Sequence, residues 1–177
     1  MPLHLVSLLP PVRRRMTDEI DSDARSGTIY VCPRLSGVGR QDYLRLLLEA
    51  AAAYNDSWLA DELRRGGRLN TTEQRRKPSG GFTTVKVPYT AAETLAEGEF
   101  NCFYVRGLCL HAIDENIQQL VVYRAKPVSI PRPESEMKIG MRVEPRELLA
   151  DLRTHKGVEP ALGIPPGPNS GLSVRLP

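Results

Sequence analysis

The chain has 177 residues, an apolar fraction of 41% and a formal net charge of +3, which excludes a wholly disordered chain and leaves enough apolar material for one substantial core. Three cysteines, Cys32, Cys102 and Cys109, are too few and oddly numbered for a disulfide framework. No stretch approaches the roughly 20 apolar residues of a membrane span, so no membrane partner is expected and the compartment expected is a reducing cytoplasm, or a virion if the chain is viral.

Residues 1–27 read as an extended arm. Leu3, Leu5, Val6, Leu8 and Leu9 lead to Pro10-Pro11, the triplet Arg13-Arg14-Arg15 and the acidic run Asp18, Glu19, Asp21 and Asp23. The cations follow the apolar stretch, whereas a secretion signal carries them before it. Residues 28–33 (Thr-Ile-Tyr-Val-Cys-Pro) predict a short strand that stops at Pro33. Ser36-Gly37-Val38-Gly39-Arg40 lies where dinucleotide folds place Gly-x-Gly-x-x-Gly. Asp42 stands at the third glycine position and would repel a pyrophosphate, so the stretch reads as a turn. A helix is expected over 42–65, capped by Asp42, with an apolar face from Leu44 to Leu63 and a break at Asn55-Asp56-Ser57. Gly66-Gly67 ends it.

Residues 66–81 read as a polar loop dense in cations. Arg64, Arg65, Arg68, Arg75, Arg76 and Lys77 are opposed there by Glu73 alone. Such a loop is either solvated and salt-bridged to acidic neighbours, or a set of phosphate contacts with salt-sensitive, sequence-blind affinity. No aromatic residues interleave with the cations, so base stacking is not expected. Phe82–Pro88 alternates as a strand, and Thr90-Ala-Ala-Glu93 has the form of a capping box.

The helix expected over 90–113 is apolar on nearly every side and must be buried. Its polar residues, Glu99, Asn101, Arg106 and His111, therefore need partners or a job. Glu99 and Arg106 project within about 20° of each other on a helical wheel. They read as a structural ion pair or a partner contact, with an active-site dyad as the alternative. Gly107 beside them suggests another element crossing closely. Cys102 and Cys109 share one stripe that His111 leaves, so they read as core thiols, and neither a metal ligand set nor a cofactor is expected.

Gln119–Arg124 predicts a strand. Tyr123-Arg124 and the later Glu134-Ser135-Glu136 resemble the arginine and Glu-x-Glu loop of ADP-ribosyltransferases. That resemblance implies an arginine gripping NAD and a loop directing ribosyl transfer. The family's Ser-Thr-Ser strand is missing between them, and no Gly-x-Ser-x-Gly elbow occurs. Residues 127–142 read as irregular with a brief strand around Met137–Val143, followed by a helix over 145–154 and a Pro/Gly-rich extension over 157–177 holding a terminal strand, Leu172–Leu176.

The fold expected is a helix-dominated α+β domain over 28–156 with a central buried helix, a small mixed or antiparallel sheet, and extended N- and C-terminal arms over 1–27 and 157–177. The leading function expected is a non-catalytic structural or adaptor subunit of a larger assembly, of virion head, connector or cementing type by analogy. Its arms would pack on neighbouring protein subunits in a homo- or hetero-oligomer. The alternative is a nucleic-acid-binding or packaging protein using Arg64–Lys77. A third reading is an enzyme, either centred on Glu99, Arg106 and Arg124 or ADP-ribosyltransferase-like as the resemblance of Arg124 and Glu134-Ser135-Glu136 implies.

Overall fold

Alanine, leucine and aromatic residues fill 91–114 on every side, and this stretch becomes a 24-residue helix at the centre of the molecule. The fold is that of a computed structural model, which describes residues 1–156, 163–164 and 170–177. In chain order the helices are α1 (Pro10–Arg25), α2 (Gly37–Ala53), α3 (Asp56–Arg64), α4 (Ala91–Asp114), α5 (Pro133–Glu136) and α6 (Pro145–Thr154). The strands are β1 (Thr72–Arg76), β2 (Phe82–Lys86), β3 (Leu120–Arg124), β4 (Arg142–Val143) and β5 (Leu172–Arg175). Among the described residues β1 and β2 form a two-stranded sheet and β4-β3-β5 a three-stranded one, both antiparallel, so the chain is a mixed α+β single domain.

The central helix α4 packs against α1, α3 and α6, and more lightly against α2 and β5. Its polar residues do have work to do. The Asn101 amide donates to Leu172 O at 2.8 Å and accepts from the Ser173 hydroxyl at 2.7 Å, while the Tyr104 hydroxyl donates to Val174 O at 3.1 Å. Three side-chain bonds from α4 thus hold β5 against the core. Gly107 marks the closest crossing: a Cβ there would lie 2.9 Å from Met16 Cγ and 2.9 Å from Val12 O of α1.

At the same crossing Arg106 is buried, yet its guanidinium is fully engaged. It donates from Nε to Glu19 at 2.8 Å and through two nitrogens to Asp23 at 2.7 and 3.0 Å. Arg153 of α6 also holds Glu19, with Nε at 3.0 Å, and Lys156 reaches Asp23 at 2.7 Å. Burial alone would raise both carboxylate pKa values, but the surrounding cations outweigh it and hold Glu19 and Asp23 below the ordinary range.

Several sequence expectations are corrected here. The segment 1–27 is not an extended arm, because residues 10–25 form α1. Pro10 and Pro11 occupy the first helical turn, where no N–H is required. Val12, Met16 and Ile20, spaced by four, make one buried stripe. Residues 3–5 run back over the domain before a turn at Val6-Ser7: His4 N–H donates to Ala125 O at 2.8 Å, and Leu3 N–H to the Asp56 carboxylate at 3.1 Å. Residues 28–33 form no strand, since no other strand lies beside them and Ile29, Tyr30 and Cys32 pack instead as a loop on the core. The next helix begins at Gly37 rather than 42, with the Ser36 hydroxyl capping Gly39 N–H, and Asp42 pairs with Arg68 instead. The break at Asn55 is real, and Asn55 caps α3 through Trp58 N–H. Thr90 makes no capping bond, because its backbone at φ −82° and ψ 4° is not the extended conformation an N-cap takes, and the Glu93 carboxylate pairs with Arg64. The strand expected around Met137–Val143 shrinks to β4. The terminal strand forms as β5, while 157–162 and 165–169 lie outside the described residues.

Replacing Arg106 with Met leaves two buried carboxylates short of a cation and should lower unfolding free energy by about 3–5 kcal/mol in urea titration. Glu19 and Asp23 have folded pKa values below their ordinary 4.5 and 3.8, so the stability they contribute is present above those values and lost as pH falls through the depressed ones. Acid titration followed by circular dichroism should show native protein losing stability below about pH 4.5, with a weaker loss in the Arg106→Met protein.

Candidate nucleic-acid interface

The cation-rich segment is not a loop throughout. Thr72–Arg76 is strand β1, paired with β2 in the register Thr72↔Lys86, Glu73↔Val85, Gln74↔Thr84, Arg75↔Thr83 and Arg76↔Phe82. The polar strand carries no apolar alternation of its own. It becomes a strand because Thr83, Thr84 and Val85 opposite it are β-branched and offer a ladder. The tip turns through Gly80 and Gly81 at φ of 90° and 74°, with Lys77 N–H bonded to Gly81 O at 3.0 Å.

The six predicted cations divide into two groups. Arg64 pairs with Asp61 at 2.7 Å and also with Glu93, Arg65 with Glu62 at 2.6 Å, and Arg68 with Asp42 at 2.7 Å and Glu62 at 3.3 Å. Arg68 fastens the foot of the ribbon to α2 and α3, Arg64 ties the end of α3 to α4, and Arg65 pairs back onto α3. Arg75, Arg76 and Lys77 stand on the ribbon itself, joined by Lys86, which the sequence reading did not include. Arg75 makes only a 3.5 Å contact with Glu73, which is already held by Arg34 at 2.5 Å. Among the described residues Arg76, Lys77 and Lys86 have no carboxylate partner. The ribbon thus carries four exposed cations against one occupied carboxylate.

Successive residues of a strand point to opposite faces. One face of the ribbon holds Glu73, Thr83 and Val85, all partly covered, together with the exposed Arg75. The other holds Thr72, Gln74, Arg76, Phe82, Thr84 and Lys86, all exposed, with Phe82 at 69%. The aromatic side chain was missed as part of the basic segment because it follows the cations in sequence and meets Arg76 only through strand pairing.

Glu99 and Arg106 do not form the predicted pair. The wheel put them on one side of α4, but Glu19 and Asp23 of α1 take the guanidinium. Glu99 has no hydrogen bond of its own among the described residues, and burial pushes its pKa up to about 8 against the pull of Arg106. Its charge acts on three nearby groups, Tyr30, Tyr43 and Cys102. Burial raises the pKa of each of these, the Glu99 charge adds to it, and the Cys102 thiol is pushed up to about 12. The Tyr43 hydroxyl is buried without a partner.

The elements of the enzyme reading do not converge. Arg124 pairs with Glu136 and donates to Ser170 O at 2.6 Å, on the far sheet, with Ser135 buried. A cavity of about 410 Å³ opens elsewhere, between the N-terminal segment and the α2–α3 junction. Leu3, Arg13, Tyr54, Asp56 and Trp58 line it, and Glu99, Arg106 and Arg124 do not. Among the described residues no set of three His, Cys, Asp or Glu side chains is grouped to hold a metal ion, and no helix is long and apolar enough to cross a membrane.

No protein-family model, curated protein or solved structure matches this chain. Its chemistry therefore has to be read from its own surface.

Because the folded pKa of Glu99, about 8, lies above its ordinary 4.5, folding favours the protonated form. Its stabilising contribution is complete below about 4.5 and is lost as pH rises through 8. Melting temperature measured from pH 5 to pH 9 should fall in native protein and fall less in Glu99→Gln, which should be the more stable of the two at pH 9.

Proposed function

We propose that the protein binds nucleic acid through the β1–β2 ribbon. The observation that carries this reading is the clustering of three cations without a carboxylate partner among the described residues, Arg76, Lys77 and Lys86, on one exposed two-stranded element. The chain's formal excess is +3, and the ribbon holds four cations opposed only by Glu73. Folding does not use these charges, because Arg76, Lys77 and Lys86 make no internal ion pair among the described residues. Phosphates are their natural complement, since neutralising them releases counterions.

The Arg76→Ala, Lys77→Ala, Lys86→Ala triple variant should keep the native melting temperature, as all three side chains are exposed. Its affinity for duplexes of unrelated sequence should drop uniformly. The slope of log K against log salt should become shallower by about 0.9 for each phosphate contact removed. Unchanged affinity and slope in fluorescence polarisation would remove the reading.

A second reading, a subunit of a larger assembly, draws support from a separate surface. Ile130, Met137 and Met141 are 86%, 73% and 46% exposed around α5 and the edge strand β4. Exposed apolar side chains clustered beside a sheet edge suit a protein contact. On this reading native protein runs above monomer mass in light scattering, and Ile130→Glu with Met137→Glu returns it to monomer. A native protein that is monomeric at every concentration counts against it.

A further inference from the structure

Resting on the ribbon reading, we infer that the ribbon enters the major groove of B-form duplex DNA and that Gln74, held by Thr84, reads an adenine there.

Three features of the outer face carry this. The first is its layout. Lys86 sits opposite Thr72 and Arg76 opposite Phe82, so the two cations stand four residues apart along the ribbon. At about 3.4 Å per residue that is roughly 13–14 Å. The major groove is about 12 Å wide and admits a two-stranded β-ribbon. Each cation therefore reaches phosphates on one wall, while the middle of the face looks at base edges.

The second is what occupies that middle. The Gln74 Nε2 donates to Thr84 Oγ1 at 2.8 Å. One amide hydrogen is thereby used and the amide plane is fixed. The second hydrogen and the Oε1 lone pairs remain free. A free donor beside a free acceptor matches the N7 acceptor and N6 donor of adenine. Fixing the amide before contact reduces the ordering cost of binding.

The third is what the face lacks. Single-stranded nucleic acid is held by successive aromatic platforms, and Phe82 is the one aromatic side chain on the ribbon. A-form RNA has a deep, narrow major groove that side chains cannot read. Phe82 at the tip suits the thymine methyl group, an apolar contact that the same groove presents.

The test uses the full chain with three probes of matched sequence: duplex DNA, single-stranded DNA and duplex RNA. A selection from random-sequence DNA duplexes accompanies them. Native protein is expected to bind duplex DNA most tightly and to enrich an adenine at one position. Gln74→Ala is expected to lose about 5- to 150-fold of preference at that position while its affinity for random duplex stays within about twofold.

Three outcomes overturn this inference yet leave the ribbon reading standing. They are duplex binding with no enriched position, a preference that Gln74→Ala leaves intact, and tighter binding of single strands or duplex RNA. Absence of binding to all three probes overturns the ribbon reading and this inference together.

Discussion

The fold depends on one buried guanidinium. Arg106 lies at the middle of α4, 2% exposed, and its charge would be very costly there without partners. Both carboxylates that neutralise it come from α1, one helical turn apart, so the pair Glu19 and Asp23 fixes α1 in register and in angle against α4. The forked, planar geometry of Arg suits this double engagement, which a lysine could not reproduce. Arg153 and Lys156 bind the same carboxylates from α6 and the residues just after it, so three elements share one charge cluster. Gly107 completes the arrangement by letting the α1 backbone approach. Apolar packing at this crossing would tolerate sliding; a bidentate ion pair in low dielectric does not.

The opposite regime holds at the ribbon. Its foot is locked, with Arg68 O accepting Ser36 N–H at 3.0 Å, Leu35 bridged to Leu69, and a Cβ on Gly39 placed only 2.0 Å from Arg68 O. Beyond this foot no carboxylate among the described residues answers the charges of Arg76, Lys77 and Lys86. Buried Arg106, Glu19 and Asp23 are closely paired, while the ribbon leaves its own charges open. That contrast separates residues kept for folding from residues available to a partner. A rigid base with an exposed polar face also presents side chains in fixed positions, which base reading requires more than phosphate contact does.

Some of this was legible in the chain of letters. The all-round apolar character of 91–114 required a buried central helix, Asn55 announced the break between α2 and α3, and Gly107 announced a close crossing. The demand that Arg106 find a partner was equally clear. Each of these follows from local composition or from one residue's conformational and solvation needs. The α1 stripe of Val12, Met16 and Ile20 was also present in the letters, but two prolines and a charged run hid it.

What only the tertiary structure decided is the choice among partners. Local spacing matched Arg106 with Glu99 on its own helix, yet Glu19 and Asp23, more than 80 residues away, take it because α1 folds back across Gly107. The six clustered arginines and lysines looked equivalent in sequence; helix ends claimed Arg64, Arg65 and Arg68, and strand pairing set Arg76 beside Phe82 and Lys86. Sequence therefore determined which side chains could not remain unpaired in a buried core. Which oppositely charged group met each of them depended on long-range chain crossing, whose energy no local pattern contains.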